Sequence, residues 1–137
     1  MKETLAFQIV ILYREFLAYT TKELKKLGLN FGQMPLVVYV GKHPGCTQAD
    51  LTKALRLDWG YSQRSIARLA ESGFMTKEHN EECNGNCLNL TENGNQAFDE
   101  CHKVFKQWDQ LKMEKFSDDE KKRIIAFLKE IAVEGRL

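Results

Sequence analysis

Apolar residues recur in the first part of the chain at steps of three and four, as Leu5, Ile9, Leu12, Phe16 and Tyr19. This spacing predicts a long amphipathic helix from Leu5 to Leu24, ended by Gly28. A second helix is predicted over residues 31–42 (FGQMPLVVYVGK), capped by Asn30, with Pro35 close enough to the first turn to be tolerated. After the turn His43-Pro44-Gly45, Thr47-Gln48-Ala49-Asp50 reads as a capping box with Asp in place of the usual Glu, opening a short helix through Leu55. Asp58 is placed to cap a further helix that runs to Ser72 and stops at Gly73. Two short helices joined by a tight turn predict a helix-turn-helix.

The period then changes. Phe74, Met75 and Thr76 are strand-like, a polar stretch with Asn-Gly follows, and LNLT forms a second short strand, which together predict a β-hairpin wing. Beyond Thr91 a long helix carries Ala97, Cys101, Val104, Trp108 and Leu111 on a seam of coiled-coil type. The last helix opens at Ser117-Asp118-Asp119-Glu120, a full capping box, and places Ile124, Ile125, Phe127, Leu128 and Ile131 on its apolar side. The expected fold is mainly α with a small β-hairpin (α+β): a winged helix-turn-helix with long N- and C-terminal helices. Residues 28–94 would form the winged helix-turn-helix, and residues 1–27 and 95–137 a helical dimerisation region, within one domain overall. The terminal seams need a cover that the winged helix cannot supply. A two-fold homodimer would bury them and would demand a palindromic DNA site with half-sites about one helical turn apart.

Composition narrows the setting. A chain of 137 residues with 43% hydrophobic and 28% charged residues suits one globular domain with no disordered tail. The apolar stretch LAFQIVILY is broken by Gln8 and is too short to span a bilayer, which leads to the expectation of a cytoplasmic protein with no membrane partner. Net charge is +1, so any affinity for nucleic acid must come from local patches. None of the 3 histidines sits in a metal or nucleophile motif, and there is no Gly-rich phosphate loop, so no enzyme activity and no cofactor are expected.

The helix after Asp58 divides into two faces. Ser62, Ile66, Leu69 and Ala70 share a stripe that would pack inward, leaving Trp59, Gly60, Gln63, Arg64, Ala67 and Glu71 outside it. Double-stranded DNA is the expected partner of the outer face. Gln63 suits an adenine edge and Arg64 a guanine edge, while small Gly60 permits close approach. Arg68 and Gln48 are placed to hold phosphates, and Trp59 and Tyr61 either touch the DNA backbone or fill the junction with the wing. Lys77, Asn84 and Asn86 are the candidate contacts on the wing.

These segments together resemble the MarR-type winged-helix transcriptional regulators. The match runs from about Leu27 to Ile131 and includes LGLNFGQMPLVVYV, HPGCTQADL, IARLAESGFMTK, LTENG after the wing, and QWDQ with FSDDE near the C-terminus. The resemblance implies a homodimeric regulator, here expected to act as a repressor, released or modulated by a small aromatic or anionic effector. That effector would bind where the dimerisation helices meet the winged helix, with Tyr13, Arg14 and Tyr39 as open candidates for its crevice. One departure falls on the wing: where the family carries Asp-x-Arg this chain has Glu82, Cys83 and Asn84, and Lys77 stands where an arginine is common. The competing class is a winged-helix thiol or metal sensor, or a protein-binding module, with weakened DNA contacts.

The chain has 4 cysteines. A metal claw of His79 with Cys83 and Cys87 is disfavoured, because four residues along one strand span roughly 13 Å. A three-residue turn of Asn84, Gly85 and Asn86 would instead set Cys83 opposite Cys87 with Cα atoms about 4.5–5.5 Å apart, within reach of a disulfide. Cys83 and Cys87 are therefore the candidate redox pair, beside the plainer reading of four passive thiols. Cys46 and Cys101 are expected to be packed and inert.

Overall fold

The computed structural model describes residues 3–83 and 85–134, with the side chains at 80, 83, 85, 133 and 134 excepted. It forms two compact units, residues 1–104 and 105–137.

In the first unit, the Thr4 hydroxyl accepts a hydrogen bond from the Phe7 N–H at 3.1 Å and opens α1, Leu5–Lys25. Thr20 is buried inside α1, and its hydroxyl is satisfied by donating to the Phe16 carbonyl at 2.6 Å. Gly28, at φ +78°, lets the chain reverse so that the Leu29 N–H reaches back to the Leu24 carbonyl.

The second helix, α2, spans Met34–Lys42 and starts later than the sequence pattern predicts. Asn30 and Gln33 close a turn of their own: the Asn30 side chain accepts from the Gln33 N–H at 2.8 Å, and Gln33 Oε1 accepts from the Asn30 N–H at 3.0 Å. Pro35 falls in the first turn of α2, where its missing N–H costs no bond, and the Leu36 and Val37 N–H groups donate to the Gln33 carbonyl.

Strand β1 (Cys46–Thr47) leads into α3, Gln48–Ala54. The capping box is present as expected: Thr47 Oγ1 accepts from the Asp50 N–H, and the Asp50 carboxylate accepts from the Thr47 N–H, both at 3.1 Å. The Thr47 backbone N–H first, and the Thr47 hydroxyl after it, hold the Asp50 carboxylate below the usual range. The turn out of α3 is closed by Arg56, a non-glycine residue at φ +54°, with the Leu57 N–H bonded to the Thr52 carbonyl. Helix α4, Trp59–Glu71, has Asp58 as its N-cap and ends at Gly73 (φ +84°) in the same type of reversal.

The wing exceeds the expected hairpin. Strands β2 (Met75–Asn80) and β3 (Gly85–Leu90) pair antiparallel, and β1 joins the free edge of β3, giving the order β1-β3-β2. The register corrects the expected turn. Cys87 lies opposite Glu78 on one side and Thr47 on the other, and Asn80 pairs with Gly85. Cys83 is not the cross-strand neighbour of Cys87, because β2 runs on to Asn80 and residues Glu81–Cys83 form a single 3-10 turn. For the same reason His79 and Cys83 do not share one strand.

Thr91 ties the wing to α5, Glu92–Met113. Its hydroxyl donates to the Gly73 carbonyl at 2.6 Å and accepts from the Gly94 N–H at 3.0 Å. Gly94 is there for room: a Cβ would collide with the Phe74 carbonyl. Leu36, Val37, Leu51, Ile66, Leu69 and Leu88 form the centre of the core, so α2, α3, α4 and the sheet share one interior. Burying side chains of this kind is worth roughly 1.5–3 kcal/mol each.

In the second unit the end of α5 is followed by α6, Asp118–Glu134. The Ser117 capping box is present, with Ser117 Oγ accepting from the Glu120 N–H at 3.2 Å and Glu120 Oε1 accepting from the Ser117 N–H at 2.9 Å. Lys112 lies over the Trp108 ring at 5.8 Å.

Candidate nucleic-acid interface

Helix α4 is positioned from below by its inner stripe. Ser62, Ile66 and Leu69 are wholly buried, and Ser62 Oγ lies 2.6 Å from Thr52 Oγ1 on α3. The Thr52 hydroxyl is also within donating distance of the Gln48 carbonyl (2.7 Å), and that of Ser62 within donating distance of the Trp59 carbonyl (3.0 Å). This part-buried hydroxyl contact joins α3 to α4 across their facing sides.

The outer stripe is open. Trp59 (53% exposed), Gln63, Arg64, Ala67 and Arg68 face solvent, as the sequence reading expected. Gly60 is partly covered: the place a Cβ would take lies 3.1 Å from Arg64 Nη1 and 3.3 Å from Asp58 Oδ2. Its small size thus serves its own neighbours, letting the Arg64 guanidinium lie back toward the cap. Tyr61 is half exposed, and its hydroxyl is pressed on the turn before α2, where a Cβ on Gly32 would sit 2.8 Å from it. Tyr61 and Gly32 are far apart along the chain, and no local signal pairs them.

The remaining candidates fall in different places. Lys77 and Asn86 are exposed on β2 and β3. Asn84 lies outside the described residues. Gln48, expected to hold a phosphate, is buried at 7% exposure, and its Nε2 finds no hydrogen-bond partner among the described residues. It lines a groove of about 400 Å³ together with Trp59 and Gln63 of α4 and Lys77 and Asn86 of the hairpin. The residues suggested for an effector crevice enter two separate aromatic pairs, Tyr13 edge-on to Phe31 at 6.2 Å and Tyr39 against His43 at 4.4 Å.

Cys46 and Cys101 are free and buried, and burial pushes each thiol up to about 11, with Asp50 and Glu100 adding to the effect at Cys46 and Cys101 respectively. Both stay protonated, and therefore unreactive, well above neutral pH. Cys87 is disulfide-bonded and buried in β3; the side chain of Cys83 lies outside the described residues. No helix among the described residues is long and apolar enough to cross a membrane.

A helix-turn-helix whose second helix offers a polar outer face, followed by a hairpin packed beside it, defines a winged helix-turn-helix protein. No protein-family model matches the chain. It is 33% identical over 132 residues to the HTH-type transcriptional regulator BilQ of Clostridium symbiosum (strain WAL-14163), covering 96% of this chain and 92% of that one. Among solved structures it resembles a MarR transcriptional regulator from Methanosarcina mazei Go1, with a TM-score of 0.87 and 25% identity over 98% of this chain and 91% of that one. A MarR-family regulator of Listeria monocytogenes, crystallised with a 26mer DNA, shares the fold at a TM-score of 0.84 and 24% identity, covering 98% of this chain and 89% of that one. The chain belongs to the MarR family of HTH-type transcriptional regulators. Its relatives are regulators and not enzymes.

Proposed function

We propose that the protein is a homodimeric, sequence-specific regulator that lays α4 in the major groove of a palindromic operator. The observation that carries this reading is the division of α4 into a fully buried stripe and an open face with Gln63, Arg64 and Arg68. A major groove admits a helix of this size, and Arg64 and Gln63 are side chains able to read guanine and adenine edges. The DNA present with the Listeria relative supports the same partner.

The dimer is supported by uncovered apolar surface in each unit. On α1, Leu5, Ile9, Val10, Leu12 and Tyr13 are 45–53% exposed; on α6, Phe127, Leu128 and Ile131 are 48–61% exposed. Stripes this large on a monomer mark an interface. In this reading residues 1–27 and 95–137 make the dimer and residues 28–94 bind DNA, in the cytoplasm. Operator occupancy represses transcription, and a small effector releases it.

The test is selection of bound duplexes from random DNA by the purified protein, with its mass measured by sedimentation. A palindromic consensus, a dimer and a log affinity that falls with log salt at about −0.9 per phosphate contact are expected. A monomer that enriches no sequence overturns the reading.

A second reading, a thiol-sensing wing, is favoured by one observation: Cys87 is disulfide-bonded while Cys46 and Cys101 are free. Oxidation of the Cys83 and Cys87 pair would then change operator affinity. Mass spectrometry after mild peroxide, beside DNA binding of wild type and Cys83→Ser, checks it; unchanged affinity on oxidation removes it.

A further inference from the structure

The groove between α3, α4 and the hairpin holds an unmet hydrogen-bonding demand. Gln48 is 7% exposed, and while its backbone carbonyl accepts from the Thr52 hydroxyl at 2.7 Å, its side-chain Nε2 has no acceptor among the described residues. A buried amide donor left without a partner is costly, so an acceptor brought in from outside would bind with an advantage. The groove's other polar groups are the Thr47 hydroxyl and the Gln63 and Asn86 amides, each able to donate, and the donor-only Lys77 ammonium and Trp59 indole; among the described residues no carboxylate lines it. An acceptor-only, negatively charged group is the complement of such a lining.

The hairpin itself shows where such a group is not welcome. Between Met75 and Leu90 it carries one lysine, Lys77, against three glutamates, Glu78, Glu81 and Glu82. Lys77 stands beside the groove, and Glu81 and Glu82 occupy the 3-10 turn at the far end. Like charge at that end opposes entry into a narrow A-tract minor groove, where the negative potential of a duplex is enhanced.

We propose that this groove seats one backbone phosphate of the operator in each half-site. Lys77 supplies the charge and the Gln48 amide a hydrogen bond, Gln63 being left to the base edges, so that the hairpin grips DNA at its base and not at its tip. The proposal rests on the DNA-binding reading above and adds to it the residues that replace the missing wing arginine.

The experiment uses the dimeric protein and its selected operator, with single phosphates replaced in turn by neutral methylphosphonates. One linkage per half-site is expected at which the replacement weakens wild-type binding about tenfold, as for loss of a charge-assisted contact. Lys77→Gln should bind the unmodified operator with a similar loss, show a salt slope smaller by about 0.9, and be indifferent to methylphosphonate at that linkage. Gln48→Leu should lose several-fold in operator affinity with the salt slope unchanged, while the free protein melts no lower than wild type because the orphaned donor is gone. If both variants bind like wild type while Arg64→Ala does not, the phosphate seat is wrong and the DNA-binding reading stands. If wild type enriches no duplex, that reading fails and takes the seat with it. Should Gln48→Leu fail to fold, Lys77→Gln, exposed on β2, decides alone.

Discussion

Helix α4 and the hairpin grow from the same small core, yet they meet solvent on opposite electrical terms. The open face of α4 carries Arg64 and Arg68 with Gln63, and a single glutamate, Glu71, at its end, whereas the hairpin carries three glutamates and one lysine. They also differ in how they are held. Local signals set α4: the Asp58 cap, the Gly73 stop and a stripe of inward residues. The hairpin is set by pairing with β1, by the Thr91 bonds to Gly73 and Gly94, and by Gly94 lying against the Phe74 carbonyl. The helix is thus the part built to approach an anion, and the hairpin the part built to be aimed.

The largest expected effect comes from the buried side of α4. Leu69→Ala should lower stability by about 2–5 kcal/mol in urea unfolding, because it opens a cavity at a wholly buried position. On the outer side, Arg64→Ala should leave stability within about 0.5 kcal/mol and cost roughly 1–3 kcal/mol in affinity for the best operator, flattening preference at one base per half-site. Measured by competition binding, an unchanged preference would put α4 outside the groove. Arg68→Ala should weaken all sequences alike and reduce the salt slope by about 0.9, the sign of a phosphate contact.

On the hairpin the sign reverses. Glu81→Gln should raise affinity for arbitrary duplex by less than about 1 kcal/mol at low salt, an advantage that fades as salt screens it. A loss of affinity instead would mean that the acidic tip contributes to binding, and the contrast with α4 would collapse. The smallest effect is expected in the turn feeding α4: Arg56→Gly relieves a left-handed residue and should stabilise by less than about 1 kcal/mol, with operator affinity unchanged. A lowered melting temperature would show that the Arg56 side chain contributes more than its backbone costs.

The same contrast explains what could be read from the sequence. The capping boxes at Thr47 and Ser117, the Asp58 cap and the buried Ser62, Ile66 and Leu69 stripe were legible because each depends on residues within a turn or two of one another. Strand β1 was not: two residues, Cys46 and Thr47, become a strand only by pairing with Leu88 and Cys87 far down the chain. The hairpin turn was misplaced because Asn-Gly is a strong local turn signal, while the strand pairing that carries β2 on to Asn80 is a property of the sheet. The burial of Gln48 was not legible because it follows from the hairpin folding over it, a contact between distant parts of the chain. Tyr61 and Gly32 likewise meet only once α2 and α4 have packed.

Trp59 stands 53% exposed on α4 beside the groove, and the chain's other indole, Trp108, belongs to the other compact unit. The molecule therefore carries its own optical gauge. Emission from Trp59 should shift and quench as a duplex closes over it, while Trp108, in its contact with Lys112, gives a steady reference. Replacing Trp108 by Phe would leave a single emitter whose signal follows the arrival and departure of DNA in real time, without a dye attached to either partner.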